Sequence, residues 1–293
     1  MKYSPIAIAA LPGLVYAASN NTNSSAAAPS ANFRPALIVV DYQNDFTTGS
    51  LKVPGASQIA KPILELLSYP FTLKIATRDW HPQNHISFAS NHNGTTAFVN
   101  KIRIFHPKNH SLSYETTLWP DHCVQNTHGA ELVPALNGTK FNYTVDKGQR
   151  SDVEMYSAFW DPFKVSISPL LEILRNSSIS HVYVVGLAAD FCVNATAQDA
   201  HAEGFQTVIV DEGTRAVFPD MWLNNSKAIT ASGVPVVSLD GKEVERVRAL
   251  DPNGASRGIA SEDGGRVSND RELPTGPDPK DPKFKANEPP SSN

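Results

Sequence analysis

Short runs without a polar side chain recur through the middle of the chain, and between them apolar positions return every three or four residues. The clearest run, Ala36-Leu37-Ile38-Val39-Val40, ends at Asp41. A continuous apolar stretch of this length predicts a strand buried on both faces. Similar runs cover Leu73 to Ala76, Tyr143 to Val145, Val182 to Val185, Thr207 to Val210 and Pro235 to Leu239. Helical periodicity fills the intervals over Ser57 to Leu67, Ile167 to Leu174, Cys192 to Glu203 and Met221 to Ser232. Strands alternating with helices predict an α/β fold, a three-layer α/β/α arrangement with a mostly parallel central sheet and right-handed crossovers. In such folds ligands bind beyond the C-terminal strand ends.

Neither end of the chain carries this alternation. Lys2, an apolar stretch from Ile6 to Val15 and the small residues Ala17 and Ala18 read as a secretory signal over residues 1–18. Residues 19–33 form an Asn/Ser/Ala-rich linker, 34–250 the folded domain, and 251–293 a Pro/Gly/charged tail without periodicity. Asn-x-Ser/Thr acceptors stand at Asn20, Asn23, Asn93, Asn109, Asn137, Asn142, Asn176, Asn194 and Asn224. Their density fits a secreted, extracellular glycoprotein. Asn194, inside a predicted helix, is expected to be buried and unmodified. With 293 residues and 41% hydrophobic content, one globular domain of about 200 residues plus tails is expected. A formal net charge of −4 with no basic stripe argues against nucleic acid or an anionic membrane as partner. No apolar run reaches the roughly 20 residues that span a bilayer.

The chemistry-bearing residues lie at the predicted strand ends. Asp41 closes the first strand and Asp79 follows the second. Lys147 follows the third, and Gly186 to Cys192 follow the fourth. Cys192 at a helix N-terminus, with a lysine nearby, is expected to favour the thiolate. Thr77 to His85 carries one carboxylate and two imidazoles, and His122 follows in Trp119-Pro120-Asp121-His122-Cys123. Asp79, His81, His85 and His122 are ligand types for a divalent metal. A surface loop with scattered histidines is the bland alternative.

From Arg34 to Leu239 these stretches resemble the nicotinamidases, within the isochorismatase-like cysteine hydrolases. The motifs are Val40 to Phe46, Arg78 to Pro82 with His85 to Phe88, Trp119 to Cys123, Asp146-Lys147-Gly148, and Gly186 to Cys192. The Asp, Lys and Cys stretches mark the superfamily, and the metal loop and Trp-Pro-x-His-Cys narrow it to nicotinamidases. The resemblance implies an amidohydrolase in which Cys192 attacks a carboxamide, Asp41 moves its proton and Lys147 holds the pair. It implies an oxyanion hole from the backbone N–H groups of Ala188 and Cys192, with a cis peptide before Ala188. It makes Asp79, His81 and His122 ligands of a divalent ion that anchors the pyridine nitrogen of nicotinamide. His85 ligates or supports the site. Zn2+ is the first expectation, and Fe2+ and Mn2+ fit the same donors. Phe46, Trp119 and Phe191 are candidates to sandwich the ring. Cys123 and Cys192 are expected to stay free thiols, because a disulfide would consume the nucleophile.

The partner is then a small molecule, nicotinamide or an analogue, and assembly into a homo-oligomer stays open. Two alternatives remain: an amidohydrolase of the same superfamily acting on another small amide, and a catalytically silent secreted protein that binds through the same pocket.

Overall fold

The computed structural model describes residues 33–250 of the chain. The signal, most of the linker, the tail, Asn20 and Asn23 lie outside the described residues. Strand β1 (Pro35–Val40) is buried at every position. It is followed by the short helix α1 (Asn44–Thr47), α2 (Ala60–Ser68) and β2 (Leu73–Asp79). An antiparallel hairpin, β3 (Lys101–His106) and β4 (Asn109–Thr117), precedes β5 (Tyr143–Lys147). Then come α3 (Leu170–Asn176), β6 (His181–Leu187), a five-residue π-helical turn (Ala189–Val193) and α4 (Asn194–Ala202). The last described elements are β7 (Gln206–Arg215), α5 (Pro219–Ala231), β8 (Val236–Val237) and α6 (Lys242–Arg248).

Six strands form one sheet in the order β5-β2-β1-β6-β7-β8, and every pairing in it is parallel. Successive side chains of a strand point to opposite faces, and β1 shows why both faces are apolar. Leu37 and Val39 pack with Ile63 and Leu66 of α2 and with Val244 and Val247 of α6. Ala36, Ile38 and Val40 pack on the other face with Leu170 and Leu174 of α3, Ala197 of α4 and Ile229 of α5. Burying each such aliphatic side chain stabilises the fold by about 1.5–3 kcal/mol. The expected three-layer α/β/α architecture is therefore present.

Several boundaries differ from the sequence reading. The helix expected from Ile167 starts at Leu170, because Ser168 Oγ accepts the Leu170 N–H instead of joining the helix. Cys192 does not open a regular α-helix; it sits inside the π-helical turn before α4. Phe33, counted with the linker, is buried edge-on against His181 beneath Arg246. The β3–β4 hairpin and α6 were not foreseen.

Candidate active site

The strand order places four C-terminal ends side by side. Lys147 ends β5, Asp79 ends β2, Asp41 follows β1, and Cys192 follows β6 through its turn. Lys147 spans these ends from a position that is 1% exposed. Its Nζ lies 2.5 Å from Asp79 Oδ1, 3.1 Å from the Met155 carbonyl and 3.5 Å from Cys192 Sγ. An ammonium has three protons, and four acceptors surround it. The fourth is Asp41 Oδ2, which pairs with the same nitrogen at 3.0 Å. Its other oxygen, Oδ1, accepts the Thr77 hydroxyl at 2.6 Å. An Asp41 carboxylate oxygen and Cys192 Sγ lie within 4.8 Å of each other.

Burial sets the protonation states. It lifts Asp41 to about 6 against the pull of the Lys147 ammonium. It also pushes the Cys192 thiol well above its ordinary value; Lys147 opposes this, and the Asp41 and Asp79 carboxylates reinforce it. The expectation of a resting thiolate is corrected here. Removing the sulfur from water outweighs one ammonium when two carboxylates sit beside it. Burial would strip Lys147 of its proton, but Asp41 and Asp79 hold it well above the normal lysine value. The centre rests as thiol, ammonium and carboxylate.

Asp79 faces the second half of the site. Burial would raise its carboxyl, but Lys147 and His81 hold it well below the usual carboxylate range. Its Oδ2 lies 3.6 Å from His81 Nε2 and 3.9 Å from His122 Nε2. The Nδ1 atoms of both rings sit 2.8 Å from carbonyls, of Gly148 and Pro120 respectively. A carbonyl only accepts, so each Nδ1 carries a hydrogen, and Nε2 of neutral His122 presents a lone pair. Burial would lower the His81 ring, but Asp79 beside it raises it, and its Nε2 offers its lone pair once its proton gives way to a cation. Burial, reinforced by His81, pushes His122 down to about 4 and keeps it neutral. One carboxylate oxygen and two imidazole nitrogens converge within 4.8 Å of one another. The set fits a divalent cation, because N,N,O is a common donor set for one. His85 stacks 4.1 Å from His81, with its Nδ1 2.8 Å from Ser87 Oγ. Its Nε2 is buried without a partner, and the ring forms a neighbouring group with His81 and Glu154.

The aromatic candidates line the same region. Phe46 packs 5.4 Å from His122, and Trp119 meets Phe191 edge-on at 5.0 Å. Ala188, after the cis peptide Leu187–Ala188, opens the turn that carries Cys192. Cys123 is buried and free, as is Cys192. Several participants escaped the sequence reading. Tyr156 accepts the Trp119 indole N–H at 3.0 Å. Gln43 exchanges hydrogen bonds of 2.8 Å with the Asp79 backbone in both directions. Asp45 accepts the Cys123 N–H at 2.7 Å and so ties down the His122 loop. For Thr77 a signal existed: it follows Leu73 and Ile75 on one face of the strand, as the first polar residue there, and it shares that face with Asp79.

Sequence comparison agrees with this geometry. The family model described as Isochorismatase domain matches residues 35–241. The chain belongs to the isochorismatase family. Within that family it is 40% identical to a nicotinamidase of Acinetobacter baylyi over 205 residues, 69% of this chain and 92% of that protein. A crystal structure of the yeast nicotinamidase bound to the inhibitor nicotinaldehyde superposes with a TM-score of 0.67 at 35% identity, covering 70% of this chain and 99% of that one. A Pyrococcus horikoshii pyrazinamidase in complex with zinc gives 0.55 at 33% identity, covering 70% and 99%.

Proposed function

We propose that the protein is a nicotinamidase, hydrolysing nicotinamide to nicotinate and ammonia. The observation that carries this reading is the cluster of Asp41, Lys147 and Cys192 beside the Asp79, His81 and His122 donors. Thr77 occupies Asp41 Oδ1, and Oδ2, paired with Lys147 at 3.0 Å, is the oxygen on the side of the Cys192 thiol. Asp41 takes that proton as sulfur bonds to the carboxamide carbon, and the carbonyl π pair moves onto oxygen. The N–H groups of Ala188 and Cys192 receive the oxyanion, and donors of this kind are worth about 3–4 kcal/mol each. When the oxyanion collapses, the C–N bond breaks and Asp41 returns its proton to the departing nitrogen as ammonia. Asp41 then takes a proton from water, whose oxygen attacks the thioester. The C–S bond breaks, nicotinate leaves, and the sulfur regains a proton.

Asp79, His81 and His122 would hold a divalent ion, Zn2+ as the first choice and Fe2+ or Mn2+ compatible with the same donors. What that ion supplies is a Lewis-acid anchor for the pyridine nitrogen. His85 stands beside it as a further donor or as support. Phe46, Trp119 and Phe191 are placed to enclose a flat ring. The relatives support the substrate: the Acinetobacter baylyi and yeast proteins are nicotinamidases, the latter bound to the inhibitor nicotinaldehyde.

Ammonia release from nicotinamide by the purified protein, with and without a chelator, tests the function. Cys192→Ala is expected to abolish turnover, by a factor on the order of 10^4 or more, while circular dichroism and the thermal midpoint stay close to those of the parent. Near-normal turnover by Cys192→Ala would end the covalent mechanism. Turnover of other small amides with none of nicotinamide would redirect the substrate within the family. We also propose export through residues 1–18, with glycans on exposed acceptors; Asn93, Asn109, Asn137, Asn176 and Asn224 are exposed.

A further inference from the structure

Thr77 lies at the end of β2, two residues before Asp79, and its side chain is fully buried. It touches Asp41 at two points. The Asp41 N–H lies 3.2 Å from both the Thr77 carbonyl and Thr77 Oγ1. The hydroxyl in turn donates to Asp41 Oδ1 at 2.6 Å. A hydroxyl has one proton, and because Oγ1 faces a donor N–H on one side, that proton is committed to the carboxylate on the other. The Asp41 backbone needs such a clamp, since its φ of +46° is a left-handed conformation that side-chain-bearing residues seldom adopt.

The consequence concerns which carboxylate oxygen meets the sulfur. Rotation about the terminal torsion of an aspartate is broad and roughly twofold. An unclamped Asp41 could present either oxygen to the Lys147 ammonium, and the thiol proton would then compete with the lysine for both. With Oδ1 held by Thr77, only Oδ2 is turned toward the space shared with Lys147 and Cys192.

We infer that Thr77 is a positioning residue for the reaction: its hydroxyl occupies Oδ1 of Asp41 and thereby presents Oδ2 to the Cys192 thiol. This rests on the reading of Asp41 as the acceptor of that proton. Thr77 is fully buried and its hydroxyl is taken up by Asp41, so its effect should fall on the chemical step and not on substrate capture.

The experiment uses the metal-loaded full chain and nicotinamide, with kcat, KM, metal content and thermal midpoint read for each variant. Thr77→Val keeps the shape and removes the hydroxyl. Loss of one hydrogen bond to a carboxylate corresponds to a fall in kcat on the order of ten- to a hundredfold. KM should stay within about twofold and metal content should be retained. Thr77→Ser, which restores the hydroxyl, should return kcat to within about threefold of the parent. If Thr77→Val does not fold, Thr77→Ser and Thr77→Ala make the same comparison, since they differ only in the hydroxyl, and the serine variant should be the faster by the same factor.

The inference is overturned if the hydroxyl-free variant turns over like the parent, or if the serine variant is as slow as the valine one. It is also overturned if activity is lost only in proportion to metal, which would assign Thr77 to the metal loop. Asp41→Asn separates this from the underlying reading. Full activity in Asp41→Asn removes Asp41 as the base; a dead Asp41→Asn beside an unimpaired Thr77→Val removes only the role of Thr77.

Discussion

The electrostatics of three side chains decide how the site operates. Asp41, Lys147 and Cys192 are each at most 5% exposed, so every charge among them is governed by its neighbours and not by water. A thiol pushed up by burial needs a base, and a carboxyl lifted to about 6 is better matched to that task than an ordinary aspartate. The sign of the pH dependence follows. Asp41 must be ionised to accept the proton, so kcat/KM should fall as pH drops through about 6, approaching a tenfold loss per unit below it. Because Cys192 starts as a thiol, no rise that tracks thiol ionisation should appear between about pH 7 and 9. A steady-state profile over pH 4–9 measures both limbs. A profile that keeps climbing above pH 8 would mean the reactive form is a preformed thiolate.

Secondary-structure elements act by holding these groups to one another. The strand ends deliver the side chains, but the loops between them fix the orientation. Gly148, directly after Lys147, has φ +66° and accepts the His81 Nδ1–H. A Cβ there would fall 2.6 Å from His81 Nδ1. Gly148→Ala is therefore expected to turn the His81 ring and to lower metal affinity by roughly 10–100-fold, beyond the strain of about 1–2 kcal/mol from the left-handed backbone. Metal analysis after equilibration against a competing chelator reads the effect. Unchanged metal retention would show that His81 does not depend on this contact. The β3–β4 hairpin has a supporting task of the same kind. Tyr114 Oη accepts the Glu154 N–H at 3.0 Å, and Thr116 Oγ1 lies 2.9 Å from Tyr156 Oη. These bonds brace the segment whose Met155 carbonyl receives a Lys147 proton.

Across the molecule, the acceptor asparagines and the catalytic rim are separated by burial. Asn194 is half-buried, its Oδ1 faces Gln198 Nε2, and Thr196 of its motif is fully buried with its hydroxyl oxygen accepting the Ala158 N–H. Asn142 is exposed, but its Oδ1 accepts the Lys74 N–H at 2.8 Å. Expression in a eukaryotic secretory host is expected to deliver into the medium a chain cut after residue 18, whose mass falls on treatment with an endoglycosidase. Peptide mapping should find sugar among Asn93, Asn109, Asn137, Asn176 and Asn224 and none on Asn194. Retention in the cells with bare acceptors would overturn the export reading.

The α/β class, all six strands of the central sheet and the four strand-end residues were legible without coordinates. Doubly buried parallel strands must be continuously apolar, so the first charged residue after each run marks the rim where ligands bind. The metal donors were legible for a related reason, since Asp79 and His81 are near neighbours in the chain and stand just past a strand. What could not be read is what depends on which ends become neighbours. Thr77 meets Asp41, Gln43 meets Asp79 and Tyr156 meets Trp119 across separations of at least 36 residues, and no local periodicity encodes such partners. The hairpin was invisible because its residues are mostly exposed and carry no apolar run. The resting thiol was also out of reach: desolvation is a property of everything packed around the sulfur, and local rules about helix ends and a nearby lysine pointed the other way.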